Sequence, residues 1–466
     1  MKEKRIVSEE EIIRQKHFMA QVKSMIHVGA RAMVDTYGCQ QNEADSEILR
    51  GMLTEMGYAM TDDTAQADVV VVNTCAVREH AELRVLGNVG ALTHTKHNRP
   101  GQIIAICGCM AQREGVAEKI KKSYRHVNMV FGTHALYRFP ELLFKALTTD
   151  KRVFDVTDTD GCVVEGLPLA RDSRIKAWVS IMYGCNNFCS YCIVPYVRGR
   201  ERSRRSGAII EEIGALIASG TRDITLLGQN VNSYGRDLDE NVDFSELLIK
   251  INAIPGEFTV RFMTSHPKDA TPRLFETMKK CEKVSRHIHL PFQSGSDKIL
   301  SDMNRGYTRA QYIETIRAAR ALMPEIVFSS DVIVGFPSET ARDFDETLSL
   351  VAEVKFDALF TFIYSKRPGT RAAEMDDVTT REEKQVRFDK LLALQNGIAR
   401  DYAQVMRGSV LRVLVEEELG GELNLAARTD SNRPVRFAGG AELVGTFVSV
   451  KIDKCTKRTM EATLVI

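Results

Sequence analysis

The segment AWVSIMYGCNNFCSYC, residues 177–192, joins a short apolar run to three cysteines. The apolar run favours a β-strand, and Cys185, Cys189 and Cys192 follow it directly. No histidine and no fourth cysteine stands between them. In α/β folds, ligands bind at the carboxyl ends of parallel strands. The segment therefore predicts a strand whose carboxyl end carries three thiols able to ligate a metal.

This strand is the first of six strand candidates that alternate with helix patterns. The other five lie in the runs DITLLGQN, FTVRFMTS, RHIHLPFQ, VFSSDVIVGFP and FDALFTFIY. Helical periodicity separates them, as in GAIIEEIGALIASG and TRAQYIETIRAARAL. Six successive βα units predict a (βα)6 partial barrel over residues 171–402, with the three cysteines at the face formed by the carboxyl ends of its strands.

Three earlier strand candidates also end in a cysteine. The runs AMVDTYG, DVVVVNT and QIIAICG stand before Cys39, Cys75 and Cys109, and helix patterns follow them. This alternation predicts a small parallel α/β domain over residues 31–147. Because parallel strands share one carboxyl edge, we expect the three thiols to meet there as a second three-ligand site. Cys107 competes with Cys109 in the sequence CGC, and Cys109 is favoured because Cys107 still lies within the apolar run.

The rest of the chain divides into an extension, a linker and a terminal domain. Residues 1–30 predict a helical or loose extension, and residues 148–175 predict a linker. After a long helix pattern that ends near Gly408, short β-rich runs alternate with glycine, asparagine and charged turns. Residues 404–466 therefore predict a small β-barrel similar in kind to the oligonucleotide-binding barrels. The predicted fold class is thus α/β multidomain.

The composition restricts the classes of protein to consider. The chain has 466 residues and a net charge of +1, so any nucleic-acid partner must be met by a local basic patch. No apolar run approaches the ~20 residues that span a bilayer, and the charged amino terminus lacks an apolar signal core. We therefore expect a cytoplasmic protein with no membrane partner. Since disulfides rarely persist in the cytosol, the clusters among the ten cysteines indicate metal or redox chemistry.

The number of thiols in each set separates the metal classes. A structural zinc ion takes four protein ligands, and a catalytic zinc ion rarely takes three thiolates. A [4Fe–4S] cluster takes one thiolate per iron, so three cysteines leave one iron open for a substrate or cofactor. The two three-cysteine sets therefore favour two [4Fe–4S] clusters over two zinc sites.

Several motifs resemble one enzyme family. CNNFCSYC resembles the signature of the radical S-adenosylmethionine enzymes, with Tyr191 as the aromatic residue before the last cysteine. TYGCQQNEADSE, VNTCAVREHAE and GCMAQRE are similar to the cysteine segments of the methylthiotransferase amino-terminal domain. HLPFQSGSD, MNRGYTR and GFPSET are similar to that family's barrel segments. RTDSNRPVRF is similar to the terminal barrel, called TRAM, of members that act on isopentenyl-adenosine in tRNA.

The resemblance implies a reaction and its cofactors. A methylthio group would replace the hydrogen at carbon 2 of isopentenyl-adenosine next to the anticodon of tRNA. The barrel cluster would bind S-adenosylmethionine and generate a 5′-deoxyadenosyl radical, and the amino-terminal cluster would deliver the sulfur. Two S-adenosylmethionine molecules would be used per turnover, one as methyl donor and one as radical source. No side chain is assigned as catalytic, because the clusters and the cofactor carry the chemistry.

The resemblance also implies side chains that contact the cofactor, and local arginines indicate contacts with RNA. Those predicted to contact S-adenosylmethionine are Tyr191, Gln229, Ser265, Gln293 and Asp331. Arginine forks suit phosphate, and those predicted to contact RNA are Arg198, Arg200, Arg202, Arg204, Arg205, Arg428, Arg433 and Arg436. The expected partners are the tRNA anticodon stem-loop, an external electron donor and a sulfur source for the auxiliary cluster, and we expect a monomer.

Other interpretations stay open at this point. Sibling methylthiotransferases act on threonylcarbamoyl-adenosine in tRNA or on an aspartate of a ribosomal protein, and the segment RTDSNRPVRF favours isopentenyl-adenosine instead. An iron–sulfur RNA-binding protein could use its clusters as redox sensors without catalysis. An open iron in each cluster argues against that interpretation, because it gives up affinity in a purely structural site.

Overall fold

A computed structural model describes residues 6–76, 79–156, 161–456 and 459–465, without the side chains of residues 79–81 and 83. Outside this description lie residues 1–5 of the predicted extension, residues 77–78 of the predicted amino-terminal domain, residues 157–160 of the predicted linker, and residues 457–458 and 466 of the predicted terminal barrel.

The chain divides into two compact units. The first runs to Asp172 and also includes Met182–Phe188 and Cys192–Arg204. The second comprises Ser173–Ile181, Cys189–Tyr191 and the chain from Arg205 onward.

The described residues form helices and strands that are numbered here in chain order. The helices are α1 (Glu9–Met25), α2 (Gln40–Glu55), α3 (Glu79–Asn98), α4 (Cys109–Gln112), α5 (Val116–Ser123), α6 (Phe139–Thr148), α7 (Val194–Arg198), α8 (Ser206–Ala218), α9 (Phe244–Asn252), α10 (Pro272–Lys280), α11 (Asp297–Asp302), α12 (Arg309–Leu322), α13 (Ala341–Val354) and α14 (Arg381–Met406). The strands are β1 (Arg31–Thr36), β2 (Ala59–Met60), β3 (Val69–Thr74), β4 (Ile103–Gly108), β5 (Met129–Phe131), β6 (Val153–Asp155), β7 (Lys176–Ser180), β8 (Met182–Tyr183), β9 (Arg202–Ser203), β10 (Asp223–Leu227), β11 (Thr259–Phe262), β12 (His287–His289), β13 (Val327–Val334), β14 (Ala358–Ile363), β15 (Val410–Glu418), β16 (Leu425–Thr429), β17 (Pro434–Phe437), β18 (Phe447–Cys455) and β19 (Met460–Leu464). Among the described residues, no helix is both long and apolar enough to cross a membrane.

The first unit is built on a six-stranded sheet of order β2-β1-β3-β4-β5-β6, and every pairing in it is parallel. β3 and β4 are buried at every residue, as expected for a parallel sheet that is covered on both faces. Alternate residues of β3 point into two apolar clusters, since Val69 and Val71 lie in one and Val70 and Val72 in the other. The predicted parallel α/β fold is confirmed.

Helix α1 packs into this unit, although the sequence sets residues 1–30 apart as an extension. Ser8 caps its amino terminus by accepting a hydrogen bond from the Glu11 N–H, and acidic residues fill its first turn. Met19 and Val22 are buried in the same apolar cluster as Val69. The extension is therefore a packed helix over its described residues.

Strand β6 lies in the segment predicted as a linker. It pairs in parallel with β5, and Asp155 at its end accepts from Arg138 at 2.6 Å. The strand has only three residues, and all of them are half-buried. The sequence therefore shows no alternation of apolar and polar residues from which this strand could be predicted. The linker between the sheet and β7 is correspondingly shorter than predicted.

The second unit opens with six parallel strands in two sheets, β7-β10-β11 and β12-β13-β14. A parallel bridge between Val260 of β11 and Val284, just ahead of β12, links the two sheets. Within the described residues β7 and β14 each pair with one neighbour, so the strands form an open arc. These six strands coincide with the six predicted runs. The (βα)6 partial barrel is confirmed.

The chain after α14 closes a five-stranded barrel of order β15-β16-β17-β19-β18, in which β15 pairs with both β16 and β18. Val413 and Phe437 lie in its apolar core. Arg261 of β11 donates to the carbonyl oxygens of Thr429 and Asp430 at 3.0 and 2.6 Å, which ties the β16–β17 turn to the first strands of this unit. The predicted terminal β-barrel is confirmed.

Candidate functional site

Cys39, Cys75 and Cys109 follow three neighbouring strands of the first sheet. β3 lies between β1 and β4, and near its end Asn73 pairs with Thr36 of β1. Each cysteine stands just beyond the last paired positions of its strand. Because the strands are parallel and in register, the three predicted ligands lie at one edge of the sheet.

The turn at Gly108 separates the two cysteines of the sequence CGC. Cys107 lies in β4, 1% exposed, within an apolar cluster. Gly108 has a φ of +92°, and a Cβ there would lie 2.4 Å from the carbonyl oxygen of Thr74. Glycine alone can make this turn without strain. Cys107 therefore occupies the core, and Cys109 is the member of the pair that follows the strand end.

A buried polar network holds the cysteine segments of the first sheet together. Asn42 of α2 donates to Asn73 Oδ1 at 3.1 Å and to the carbonyl oxygen of Thr74 at 3.0 Å. Asn73 donates in return to the carbonyl oxygen of Asn42 and to Ser46 Oγ, both at 2.9 Å. Cys39 Sγ lies 3.4 Å from Asn42 Oδ1. This network was not predicted from the sequence, in which its visible signal is the polar Asn73 directly after the apolar run VVVV.

A buried arginine contacts the third cysteine of this set. Arg198 of α7 donates from Nε to Cys109 Sγ at 3.1 Å and from Nη2 to Asp45 Oδ2 at 2.7 Å. Burial raises the pKa of Cys109 to about 12; Arg198 opposes this rise, whereas Cys75, Cys39 and Asp45 add to it. Cys39 and Cys75 therefore both lie close enough to Cys109 to act on its charge. Coordination to a metal deprotonates a thiol outright, so this donor set fits a [4Fe–4S] cluster.

A single metal ion and an iron–sulfur cluster need different arrangements of thiols. Within the described residues, no three His, Cys, Asp or Glu side chains are placed to hold one metal ion. A [4Fe–4S] cluster spreads its thiolates over separate irons, so its ligands do not converge on one point.

In the first unit, Gly184 shapes the start of the loop that carries Cys185. Gly184 has a φ of +77°, and a Cβ there would lie 2.1 Å from the carbonyl oxygen of Arg200. The backbone N–H of Cys185 donates to the carbonyl oxygen of Gly199 at 3.1 Å. The cysteine that opens the signature motif is thus held in a defined and buried position, 8% exposed.

In the second unit, Cys189 contacts a buried arginine of its own. Arg305 donates from Nη1 to Cys189 Sγ at 3.3 Å and from Nη2 to the carbonyl oxygen of Pro291 at 2.8 Å. The neighbouring Ser190 N–H donates to the carbonyl oxygen of Met303 at 3.0 Å. Arg305 is a further candidate site residue that was not predicted from the sequence, although its segment MNRGYTR carries part of the family resemblance.

The predicted cofactor contacts lie along the carboxyl ends of neighbouring barrel strands. Gln229 follows β10, Ser265 follows β11, Gln293 follows β12 and Asp331 lies in β13. The Gln293 N–H donates to the carbonyl oxygen of Asp331 at 3.0 Å, so these two residues are adjacent. Tyr191 packs against the apolar cluster that contains Phe336. Their contact with S-adenosylmethionine stays a prediction.

Buried polar atoms without partners mark the same edge. Ser265 Oγ, His266 Nε2 and Gln293 Oε1 are buried, and among the described residues none of them has a hydrogen-bond partner. Such an atom costs about 1–3 kcal/mol, so it points to a ligand or water that completes it. Gln293 and Thr264 also have φ values of +67° and +69°, which are uncommon for side-chain-bearing residues and occur at functional sites. These features fit a polar cofactor bound at the strand ends.

His266 is a further candidate that the sequence analysis did not select. Burial lowers its pKa well below the usual value, and the positive charges of Arg305 and Lys268 act in the same direction. The ring is therefore neutral. Its Nδ1 accepts from the Lys268 N–H at 3.3 Å, so the proton lies on Nε2, which is a buried donor.

The arginine-rich segment after the signature motif divides into buried and exposed members. Arg198, Arg202 and Arg204 are 5%, 4% and 7% exposed, whereas Arg200 and Arg205 are exposed. Arg204 forms an ion pair at 2.6 Å, and Arg202 donates to the carbonyl oxygens of its own loop. The prediction of RNA contact in this segment therefore rests on Arg200 and Arg205.

The predicted RNA contacts of the terminal barrel divide in the same way. Arg428 pairs with Glu416 through two contacts of 2.7 and 3.2 Å, and Arg433 pairs with Asp357. Arg436 is exposed. Because a guanidinium held by a carboxylate is less available to phosphate, Arg436 is the strongest of the three candidates.

Comparison with known proteins covers all three parts of the chain. Residues 31–132 match the uncharacterized protein family UPF0004, residues 179–351 the radical SAM superfamily, and residues 404–465 the TRAM domain. The chain is also 47% identical to a tRNA-2-methylthio-N(6)-dimethylallyladenosine synthase of Acetivibrio thermocellus, over 98% of this chain and 97% of that one. The chain belongs to this synthase family. Its membership confirms the predicted resemblance to the radical SAM methylthiotransferases.

Other synthases of the family match at similar levels. The relative from Thermoanaerobacter sp. strain X514 is 48% identical over 98% of both chains, and that from Clostridium beijerinckii is 50% identical over 90% of this chain and 93% of that one. Among solved structures, the radical S-adenosylmethionine methyltransferase TsrM from Kitasatospora setae, with cobalamin and a [4Fe–4S] cluster bound, superposes with a TM-score of 0.55 over 74% of each chain. At 13% identity this likeness concerns the fold alone. The family uses S-adenosylmethionine and [4Fe–4S] clusters, as predicted.

Proposed function

We propose that this chain is a radical SAM tRNA methylthiotransferase that converts N6-isopentenyladenosine next to the anticodon into its 2-methylthio derivative. The observation that carries the proposal is a second three-cysteine set at the edge of the first sheet. The chain also has the signature motif and is 47% identical, over 98% of its length, to a synthase of this name. Radical cleavage of a cofactor requires only one such set. A second set supplies a separate site for the sulfur.

The two sets divide the proposed chemistry. Cys39, Cys75 and Cys109 would hold the auxiliary [4Fe–4S] cluster, and the three cysteines of the signature motif would hold the other. When bound, S-adenosylmethionine supplies a carbon-centred radical from one molecule and the methyl group from another, and the auxiliary cluster supplies the sulfur. Three protein ligands leave one iron open in each cluster.

The surrounding side chains would orient the bound groups and exclude water. In the second unit, Ser265 and His266 offer hydroxyl and imidazole donors, and Gln293 offers an acceptor, to the polar parts of the cofactor. In the first unit, Cys75 and Cys109 are each 4% exposed, whereas Cys39 is exposed. The auxiliary set would therefore be shielded on one side and reachable on the other.

The substrate explains why this chemistry is needed. Carbon 2 of adenine carries no acidic hydrogen, so a general base cannot remove it, whereas a carbon-centred radical can react there. The base must leave its stack to reach a protein site, and a single-stranded anticodon loop makes this easier than a duplex. The match of residues 404–465 to the TRAM domain supports RNA as the partner.

Mass analysis of tRNA nucleosides tests the proposal. The chain is reconstituted with iron and sulfide under anaerobic conditions, then incubated with reductant, S-adenosylmethionine and isopentenylated tRNA. We expect one methylthio group in place of hydrogen on the isopentenylated adenosine. Accumulation of 5′-deoxyadenosine with no modified nucleoside would show that the substrate assignment is wrong. Threonylcarbamoylated tRNA and ribosomes would then be the substrates to test.

Removing the two exposed arginines near the signature motif should weaken tRNA binding. The double variant Arg200→Ala/Arg205→Ala lacks two guanidinium groups that could each bind a phosphate. For each arginine, the loss of one charged hydrogen bond of about 1.5 kcal/mol should lower the affinity for tRNA about tenfold. The slope of log affinity against log salt should also fall by about 0.7–0.9 for each phosphate that is no longer neutralised. Binding is measured by fluorescence anisotropy over a range of salt concentrations.

A matched variant controls for the loss of surface charge. Arg342→Ala removes a side chain that is 90% exposed at the start of α13 and lies outside the proposed site. It should bind tRNA as the parent does. Unchanged affinity and salt slope in the double variant would mean that the two arginines are exposed to solvent and do not contact tRNA.

The remaining partners follow from the stoichiometry of the reaction. Reductive cleavage of the cofactor consumes an electron, and each product consumes a sulfur atom. We therefore propose an external electron donor and a separate sulfur source that renews the auxiliary cluster. With tRNA as substrate, we propose that the chain acts in the cytoplasm, as a monomer.

A further inference from the structure

One sulfur in each cysteine set accepts a hydrogen bond from a buried arginine. Arg198 donates to Cys109 in the first unit, and Arg305 donates to Cys189 in the second. Both arginines are 5% exposed or less. A buried guanidinium is costly unless its charge is offset, so its repeated placement on a ligand sulfur calls for an explanation.

The position of Arg198 is determined by three independent contacts. Asp45 accepts a hydrogen bond from Nη2 of Arg198. The carbonyl oxygen of Arg198 accepts from both terminal nitrogens of Arg202, at 3.1 and 3.0 Å. Its helix also packs on the cysteine, because Val197 lies in a small apolar cluster with Cys109. The Nε–H is therefore aimed at the sulfur by its surroundings.

We propose that Arg198 is a positioning residue that raises the reduction potential of the auxiliary cluster through its hydrogen bond to Cys109. The inference rests on the proposed function, in which Cys39, Cys75 and Cys109 hold that cluster. Asp45 has two effects in this arrangement. It holds the guanidinium in place, and its negative charge offsets part of the effect of the arginine on the cluster.

The sign of each effect follows from electrostatics. A reduced cluster carries one more negative charge than an oxidised one, so a cation and a hydrogen bond to its sulfur favour the reduced form. Loss of Arg198 should therefore lower the reduction potential. Loss of the Asp45 charge should raise it, because Arg198 remains and its charge is no longer offset.

The experiment measures the auxiliary cluster alone in the full chain. Alanine replaces all three cysteines of the signature motif, so iron binds only at the first set. In this parent, Arg198→Met, Arg198→Lys and Asp45→Asn are compared. Iron is counted for each protein, and the midpoint potential is measured by a redox titration followed by electron paramagnetic resonance.

We expect iron content equal to that of the parent, with a downward shift of the midpoint for Arg198→Met and an upward shift for Asp45→Asn. Arg198→Lys should fall between Arg198→Met and the parent, because lysine keeps the charge but lacks the fork that binds sulfur and carboxylate together. Arg113→Met serves as the control. That arginine lies four residues after Cys109 but pairs with Glu82 at 2.6 Å, and its loss should leave the midpoint unchanged.

Three outcomes would overturn the inference. Unchanged midpoints in both Arg198→Met and Asp45→Asn, with iron retained, would show that the pair only stabilises the fold. If Arg198→Met loses its iron, Arg198→Lys and Asp45→Asn carry the test, and an Arg198→Lys midpoint equal to that of the parent would exclude the hydrogen bond. A parent that binds no iron would overturn the proposed function, and this inference with it.

Discussion

Replacing Cys189 by alanine should abolish cleavage of S-adenosylmethionine, with 5′-deoxyadenosine falling to the amount formed without enzyme. The signature motif provides three thiolates, and the loss of one leaves two irons of that cluster without a protein ligand. The variant also removes the sulfur that accepts from Arg305 Nη1, and it leaves that buried nitrogen with Tyr191 Oη, at 3.4 Å, as its acceptor. The measurement is an anaerobic incubation with reductant, followed by chromatography of the cleaved cofactor.

A second cysteine of the same unit controls for the loss of a buried thiol. Cys281 is 3% exposed at the end of α10 and is not a predicted ligand. Cys281→Ala should keep both its iron and its cofactor cleavage, whereas Cys189→Ala should lose about half of its iron if the chain holds two clusters. A Cys189→Ala variant that still forms 5′-deoxyadenosine at the parent rate would refute the assignment of the signature motif.

Replacing Cys75 by alanine should separate the two parts of the reaction. Cys75 lies between Cys39 and Cys109 at the edge of the first sheet, so its loss removes one of three ligands from the auxiliary cluster alone. We expect cleavage of S-adenosylmethionine to continue and the methylthio product to disappear. Both are measured in one reaction, by quantifying 5′-deoxyadenosine and the tRNA nucleosides by mass spectrometry.

The sequence CGC supplies the control for this variant. Cys107→Ala removes an equally buried thiol from the apolar cluster of the same sheet, at the cost of a small core cavity. Cys107→Ala should still form the methylthio product, whereas Cys109→Ala, like Cys75→Ala, should not form it. Normal product from Cys75→Ala would exclude the first cysteine set as the sulfur carrier, and a reversed result for Cys107 and Cys109 would exchange their roles.

Short segments of sequence were enough to predict the strands and the thiols. The six barrel strands and β1, β3 and β4 are apolar runs, and consecutive residues in each of them favour a β-strand. A glycine or a cysteine follows several of these runs and marks where the strand ends. Thiol chemistry is equally local, since three cysteines within eight residues restrict the metal wherever the loop lies. The extent of each element was harder to predict, as the packed helix α1 and the edge strand β6 show.

The partners of the charged side chains became visible only in the folded chain. Arg198 belongs to a basic stretch of the sequence that predicts contact with RNA. In the folded chain it is buried and pairs with Asp45, 153 positions earlier. Arg433 likewise reads as an RNA contact and pairs with Asp357, 76 positions earlier. Such pairs depend on the register of strands and the packing of helices that are distant in sequence. The preferences of neighbouring residues therefore predict where a strand ends, whereas the tertiary packing selects which arginines meet a sulfur, a carboxylate or solvent.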